Sequence, residues 1–255
     1  MAAINFTPPT RTYKVVLYTD SRGRNLAKHL IQANPDNNIN FVVQILPGAT
    51  LETILKRVER SSRRDSWDLC IIIAGICNFT EKKINRGHRY LQYTTRKATE
   101  TKDIIDQILQ SQGNKISIST ITPAYLPKYS NYRKDQSLLT EQENLLQDIE
   151  ETNLHIINRN IDRDQPSIHL ARLSYTLSLK KQGPKHKRIT KFIPEDLPDG
   201  VHPSSELEQR WAKYILVQTK KIIAKNSTTE DTDSQDDTEE EGQDSWYFKR
   251  QKTTN

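Results

Sequence analysis

Cysteine is scarce in this chain. Only two cysteines occur, Cys70 and Cys77, and Cys70 lies inside an apolar run. A disulfide scaffold is therefore not expected, and two cysteines alone cannot form a tetrahedral zinc site. We expect both to be small, buried hydrophobic side chains in a reducing compartment.

Long apolar runs are also lacking. No apolar run approaches the roughly 20 residues that span a bilayer, and the opening sequence MAAINFTPPT lacks the basic and apolar regions of a secretory signal. The mean hydropathy of −0.78 is low for a compact enzyme and indicates that polar loops or tails dilute an ordinary core. We expect a soluble intracellular protein, cytoplasmic or nuclear, without membrane contact.

Charge is unevenly distributed along the chain. Residues 226–255 hold nine acids and three bases, which leaves residues 1–225 with a formal charge of +12. A basic body with an acidic tail indicates an anionic partner for which the tail competes; the alternative is a solubilising tail on an ordinary basic domain. The predicted organisation is an N-terminal extension (1–12), one domain (13–225) and a disordered acidic tail with a short basic-aromatic end (226–255).

The body alternates between strand and helix patterns. Buried strands are predicted over 14–20, 41–47, 68–75, 115–122 and, more weakly, 167–173. Helices are predicted over 24–33, 50–60, 101–111, 141–161 and 205–223. This alternation is typical of an α/β fold with a mostly parallel sheet of about five strands and helices on both faces. Ligands of such folds bind where the strands end.

Ser21 lies where the first predicted strand meets the first predicted helix, in the stretch VVLYTDSRGRNL. Its hydroxyl would stand at the carboxyl edge of the sheet, beside free backbone N–H groups that can stabilise an oxyanion. Serine is also a common helix N-cap, so Ser21 alone does not indicate a nucleophile. A second stretch, LPDGVHPSSE, supplies Asp199 and His202 just before the last helix. A serine nucleophile needs such a base and a carboxylate that orients it.

These blocks resemble the SGNH, or GDSL-type, esterase and lipase superfamily. The resemblance covers residues 14–223 and implies a three-layer, flavodoxin-like fold, with YTDSRGRNL as the serine block and Asp199 and His202 as the triad partners. It implies an oxyanion hole formed by the N–H groups of Ser21 and Gly48, the latter in LPGATLE, together with an asparagine after the third strand. No metal or cofactor is implied, and the substrate would be a small acyl ester such as an acetyl ester.

The third block departs from the family pattern. Two residues, Ile76 and Cys77, separate Gly75 from Asn78, where the family has one. Either the turn is longer by one residue and Asn78 is the oxyanion donor, as we favour, or Cys77 occupies the asparagine position. A thiol is a poor donor, and losing one donor typically costs ~10²–10³ in rate. Asn78 is otherwise an ordinary turn residue.

Three polar segments that follow strands three, four and five, over 80–102, 123–136 and 174–195, interleave tyrosines with lysine and arginine. Such loops are typical of single-stranded nucleic-acid grooves; the alternative is solvated basic loops with tyrosines packed on the sheet edge. The candidate nucleic-acid-binding residues are Arg89, Tyr90, Tyr93, Tyr129, Tyr132, Arg133, Lys180, Lys181, Lys185, Lys187 and Arg188.

Two hypotheses follow. The first is an SGNH-type serine esterase with nucleic acid bound nearby, similar in character to the esterase-type proteins of some mobile elements. The second is a non-catalytic, nucleic-acid (RNA) binding module on the same scaffold, with Ser21 and His202 as relics. Both predict the same fold, so the geometry around Ser21 is the informative observation.

Overall fold

A parallel sheet forms the centre of the molecule. The computed structural model describes residues 11–62, 66–85, 87–94, 98–130, 137–182, 185–192 and 196–233, with the backbone alone at 174–182, 185–192 and 228–233. The sheet has four strands in the order β2-β1-β3-β6, all parallel: β1 (Tyr13–Thr19), β2 (Ile39–Ile45), β3 (Leu69–Ile73) and β6 (Ile116–Ile118). The predicted α/β class with a parallel sheet is confirmed.

The fifth predicted strand, over 167–173, is reduced to a single parallel bridge between Ser119 and Ile168. The chain then turns into a 3₁₀ turn at Ala171–Ser174, so the ladder does not continue. The sheet therefore has one strand fewer than the sequence predicted.

Helices cover both faces of the sheet, since β3 and residues 15–19 of β1 are buried at every position and so bury side chains on both sides. The helices are α1 (Leu26–Ala33), α2 (Leu51–Ser62), α3 (Ile76–Phe79), α4 (Ala98–Gln112), α5 (Leu126–Tyr129), α6 (Ser137–Asp162) and α7 (Ser205–Asp233). One face packs against α1 and α7, around Trp211; the other packs against α2, α4 and α6. The molecule is thus three layers deep.

A buried carboxylate joins the first helix to the last. Glu208 of α7 is 2% exposed and accepts hydrogen bonds from the backbone and side-chain nitrogens of Asn25, at 3.1 and 2.8 Å. Asn25 precedes α1 directly, so this contact fixes where α1 starts relative to α7.

Two antiparallel hairpins replace parts of the predicted polar loops. The first consists of β4 (Thr80–Asn85) and β5 (His88–Tyr93), and the second of β7 (Tyr175–Gln182) and β8 (Lys185–Phe192). These strands are too polar to show a period-two apolar pattern, which is why the sequence indicated loops.

The last helix extends further than predicted. It runs to Asp233, into the segment predicted to be disordered, while residues 234–255 lie outside the described part of the chain. Within the described ranges, no helix combines the length and apolar character needed to cross a bilayer. Both cysteines are free thiols.

Candidate active site

Ser21 begins a tight turn at the carboxyl end of β1. The Asp20 carboxylate accepts a hydrogen bond from the Arg22 backbone N–H at 2.9 Å and so caps the 3₁₀ turn Ser21–Gly23. At Gly23 a Cβ atom would stand only 2.4 Å from the Thr19 hydroxyl oxygen, so the turn needs glycine there. Ser21 remains only partly buried, which leaves its hydroxyl accessible.

The Asp199–His202 loop stands directly before α7. One carboxylate oxygen of Asp199 accepts the backbone N–H groups of Val201 and His202, at 2.9 and 2.7 Å. Gly200 adopts a φ of +87°, and a Cβ there would meet the Tyr125 carbonyl oxygen at 2.6 Å. The loop is therefore folded tightly around the carboxylate.

Ser21, His202 and Asp199 form one hydrogen-bonded row. The His202 Nε2 atom lies 3.0 Å from the Ser21 hydroxyl oxygen, and the His202 Nδ1 atom lies 2.6 Å from the second Asp199 oxygen. An ionised carboxylate can only accept, so Nδ1 carries the proton and the Nε2 lone pair faces the serine hydroxyl. Partial burial opposes the charge of Asp199, but the hydrogen bonds from His202 and Val201 hold its pKa below the ordinary value.

A buried ion pair flanks the serine. Asp20 and Arg22 are 1% and 3% exposed, and the Arg22 guanidinium lies 3.3 Å from the Asp20 carboxylate. Arg22 also donates to the carbonyl and hydroxyl oxygens of Thr122, at 2.5 and 2.6 Å. Arg22 therefore ties the serine turn to the segment after β6. The sequence did not predict this role; its only sign there is that the acid Asp20 precedes the base Arg22 by two residues.

The backbone conformation of Gly48 is compatible with its predicted role as an oxyanion donor. It has a φ of +74° and is exposed, and its N–H donates to no other residue in the described part of the chain. Its loop is held against the serine strand by a hydrogen bond of 2.7 Å from the Leu46 N–H to the Thr19 carbonyl. The Ser21 N–H is the first of the 3₁₀ turn and has no hydrogen-bond acceptor within that turn.

Asn78 is 2% exposed and bonded at both ends of its amide to the start of α2. Its oxygen accepts the Leu51 N–H at 2.9 Å, and its nitrogen donates to a Glu52 carboxylate oxygen at 3.0 Å. Only the second N–H of that nitrogen remains for an oxyanion. The side chain thus joins the third block to α2, an arrangement that the sequence did not predict, and its oxyanion role stays a prediction.

Cys77 is only partly buried and lies near the serine turn. Burial and the Asp20 carboxylate raise the pKa of its thiol to about 11, against the opposing effect of Arg22 and Lys82. The thiol is therefore neutral near pH 7. Cys70, by contrast, is fully buried in β3.

The structure places the candidate nucleic-acid-binding residues on several elements. Arg89 and Tyr90 lie in β5, and Tyr129 packs against the core at the end of α5. The Tyr93 hydroxyl is hydrogen-bonded to Asp148, and its burial and this bond raise its pKa to about 12. Tyr132 and Arg133 lie outside the described residues. The lysines and the arginine of the second hairpin occupy β7 and β8: Lys180, Lys181, Lys185, Lys187 and Arg188.

Three comparisons bear on this geometry. No protein-family model and no curated protein matches the sequence. Solved structures do match. A GDSL-like lipase from Bacteroides thetaiotaomicron is 17% identical, with a TM-score of 0.54 over 84% of this chain and 89% of that chain. A lipase/acylhydrolase from Enterococcus faecalis is 16% identical, with a TM-score of 0.56 over 84% and 97%.

An acetyl xylan esterase also aligns, at 18% identity and a TM-score of 0.53, over 80% of this chain and 98% of that one. The chain has the fold of these hydrolases. The SGNH-type fold implied by the sequence resemblance is therefore confirmed. Within the described residues, no group of three His, Cys, Asp or Glu side chains is arranged to hold a metal ion.

Proposed function

We propose that this chain is a serine hydrolase of small carboxylic esters, with Ser21 as nucleophile, His202 as general base and Asp199 as the group that orients His202. The observation that carries the proposal is the hydrogen-bonded row from Ser21 through His202 to Asp199, at 3.0 and 2.6 Å. The row stands at the carboxyl edge of a parallel sheet, where ligands of such folds bind.

The reaction would proceed through an acyl-enzyme. His202 Nε2 takes the Ser21 proton as the serine oxygen attacks the ester carbon, and the N–H groups of Ser21 and Gly48, with the free N–H of Asn78, receive the oxyanion. His202 then donates its proton to the leaving alcohol as the ester bond breaks. Water next gives a proton to His202 and attacks the acyl carbon. His202 then passes this proton to the Ser21 oxygen as the acyl–serine bond breaks, which releases the acid and restores Ser21.

Small acyl groups, acetyl above all, are the proposed substrates. The resemblance of the four sequence blocks to esterases supports this choice, and so does the fold shared with an acetyl xylan esterase.

Ester turnover together with covalent labelling tests this function. We expect the wild type to hydrolyse p-nitrophenyl acetate and butyrate, and a fluorophosphonate probe to modify Ser21, located by peptide mass spectrometry. Ser21→Ala should abolish both signals, whereas Ser111→Ala, at the end of α4, should keep them. Wild-type turnover no faster than that of Ser21→Ala, without labelling at Ser21, would rule the hydrolase out.

The second hairpin supports a second candidate function, nucleic-acid binding, either alongside catalysis or in its place. Its register sets Lys180 opposite Lys187 and Lys181 opposite His186, and residues 175–192 contain no acid. Like charges directly opposite in a ladder destabilise a hairpin, so a bound polyanion would stabilise this one. The resemblance to esterase-type proteins of mobile elements implies the same combination of ester hydrolysis and nucleic acid.

RNA binding should depend steeply on salt. We expect fluorescence anisotropy with a labelled single-stranded RNA to show an affinity that falls linearly with salt on logarithmic axes. Lys180→Ala with Lys187→Ala should reduce the magnitude of that slope by about 1–2. The control pair Lys213→Ala with Lys220→Ala, on α7, should leave it unchanged. Equal weakening by both pairs would contradict a specific role of the hairpin.

A further inference from the structure

The loop that carries His202 packs directly against α5. The Tyr125 N–H donates to the Gly200 carbonyl at 2.6 Å. A Cβ at Gly200 would stand 2.8 Å from the Tyr129 nitrogen and 3.2 Å from the Lys128 Cβ atom. Lys128, which is exposed, therefore stands beside the loop that ends at His202.

The first hairpin is bonded to the end of α5. The Ser130 hydroxyl, just after α5, is hydrogen-bonded to both the N–H and the carbonyl of Leu91, each at 3.2 Å. The strand register places Lys82 directly opposite Leu91. Lys82 also acts electrostatically on Cys77, as do Asp20 and Arg22 on either side of Ser21. Lys82 thus lies in the strand that directly follows Asn78 and is joined through Leu91 to the end of α5, and Lys128 lies beside the histidine loop.

Neither lysine has its charge balanced within the described part of the chain. No acid of that part forms an ion pair with Lys82 or Lys128, and both side chains are exposed. Five acids of the serine turn, the histidine loop, β4 and α2 have other partners. Asp20 pairs with Arg22, Asp199 with His202, Asp196 with Arg210 and Glu81 with Lys83, and Glu52 accepts a hydrogen bond from the Asn78 amide.

Cations without an ion-pair partner raise the local concentration of anions and bind anionic groups by charge-assisted hydrogen bonds. We infer that Lys82 and Lys128 bind an anionic group of the substrate, so that the preferred esters carry a carboxylate or a phosphate. This inference rests on the hydrolase function proposed above and names the substrate class of the same site. The anion belongs either to a small free ester or to a phosphate of a polymer.

Two esters of equal chain length test the inference. p-Nitrophenyl hemisuccinate has a carboxylate where p-nitrophenyl butyrate has a methyl group. At low ionic strength we expect the wild type to favour the hemisuccinate in kcat/KM by about tenfold or more, the range of one charge-assisted contact. Lys82→Met and Lys128→Met should each lower this ratio, through a loss on the hemisuccinate, and the double variant should bring it near unity.

Lys83→Met is the matched control, because Lys83 neighbours Lys82 in β4 but is paired with Glu81 at 2.7 Å. It should keep the wild-type ratio. Wild-type turnover of both esters with equal kcat/KM would overturn the inference and leave the hydrolase standing. Turnover of neither ester would overturn both.

The source of the anion is decided by inhibition of hemisuccinate hydrolysis. Inhibition by a single-stranded oligonucleotide at far lower phosphate concentration than by inorganic phosphate would place the anionic group in a polymer. Equal potency per phosphate would place it in a small ester. Inhibition by neither would overturn the inference, because an anion subsite must accept competing anions.

Discussion

His202→Ala should lower kcat for p-nitrophenyl butyrate by a factor on the order of 10⁵–10⁶. His202 is the only group within hydrogen-bond distance of the Ser21 hydroxyl among the described residues, at 3.0 Å. Without it, no base accepts the serine proton and no acid protonates the leaving alcohol. Steady-state kinetics at mildly alkaline pH measures the loss, and an unchanged thermal melting curve excludes unfolding as its cause.

His155→Ala is the matched control for this variant. His155 lies in α6 and is bonded to Asp106 of α4 at 3.0 Å, and neither residue is a hydrogen-bond partner of Ser21, His202 or Asp199. It should keep nearly the full kcat. Asp199→Asn should fall between the two, with a loss of about 10⁴-fold, because an amide no longer fixes the histidine tautomer. A His202→Ala enzyme that retained a tenth of the wild-type kcat would refute the assigned base.

Protonation of Asp199 should not be the cause of the fall in activity on the acidic side of the pH–rate profile. Because the pKa of this carboxyl is held below its ordinary value, it stays ionised as the pH falls through the range where an unfolded aspartate gains its proton. Its contribution to folding stability is therefore present above that range and lost only at lower pH.

Arg22→Met should lower the free energy of unfolding by about 3–5 kcal/mol. Asp20 is 1% exposed, and the variant would leave its carboxylate buried without a counter-ion while also removing two hydrogen bonds to Thr122. Urea denaturation followed by tryptophan fluorescence measures the change. Because Arg22 also positions the serine turn, kcat should fall under conditions where the variant is still folded.

Arg24→Met is the control, since Arg24 is exposed and only two positions away. It should change the free energy of unfolding by about 0.5 kcal/mol or less. Asp20→Asn combined with Arg22→Met should be less destabilised than Arg22→Met alone, because no uncompensated charge is left buried. A loss below about 1 kcal/mol for Arg22→Met would show that the ion pair does not hold this turn.

The sequence allowed the scaffold and the row of three side chains to be predicted, because those depend on local patterns. Strands such as Leu69–Ile73 are continuous apolar runs, and the Asp199–His202 spacing lies within one turn. The fifth strand was overestimated because SIHLARL has the composition of a strand, whereas tertiary packing leaves one bridge at Ile168.

Features that depend on distant partners could not be predicted in the same way. The amide of Asn78 meets Leu51 and Glu52, which no spacing rule connects to it. Charged residues are normally expected at the surface. Arg22 is nevertheless buried, because Asp20 pairs with its charge and Thr122 accepts its hydrogen bonds. The polar strands of the two hairpins are held by cross-strand pairing, which composition does not reveal.

The contact between Asn25 and Glu208 has a consequence for when the candidate site forms during synthesis of the chain. Ser21 is synthesised 181 residues before His202, and the helix that holds the loop of His202 in place follows later still, with Glu208 against Asn25 and Trp211 in the core. The serine turn and the first helix thus leave the ribosome before the base proposed for Ser21 has been made. The hydrogen-bonded row of Ser21, His202 and Asp199 can therefore form only after α7 has been synthesised and packs against α1.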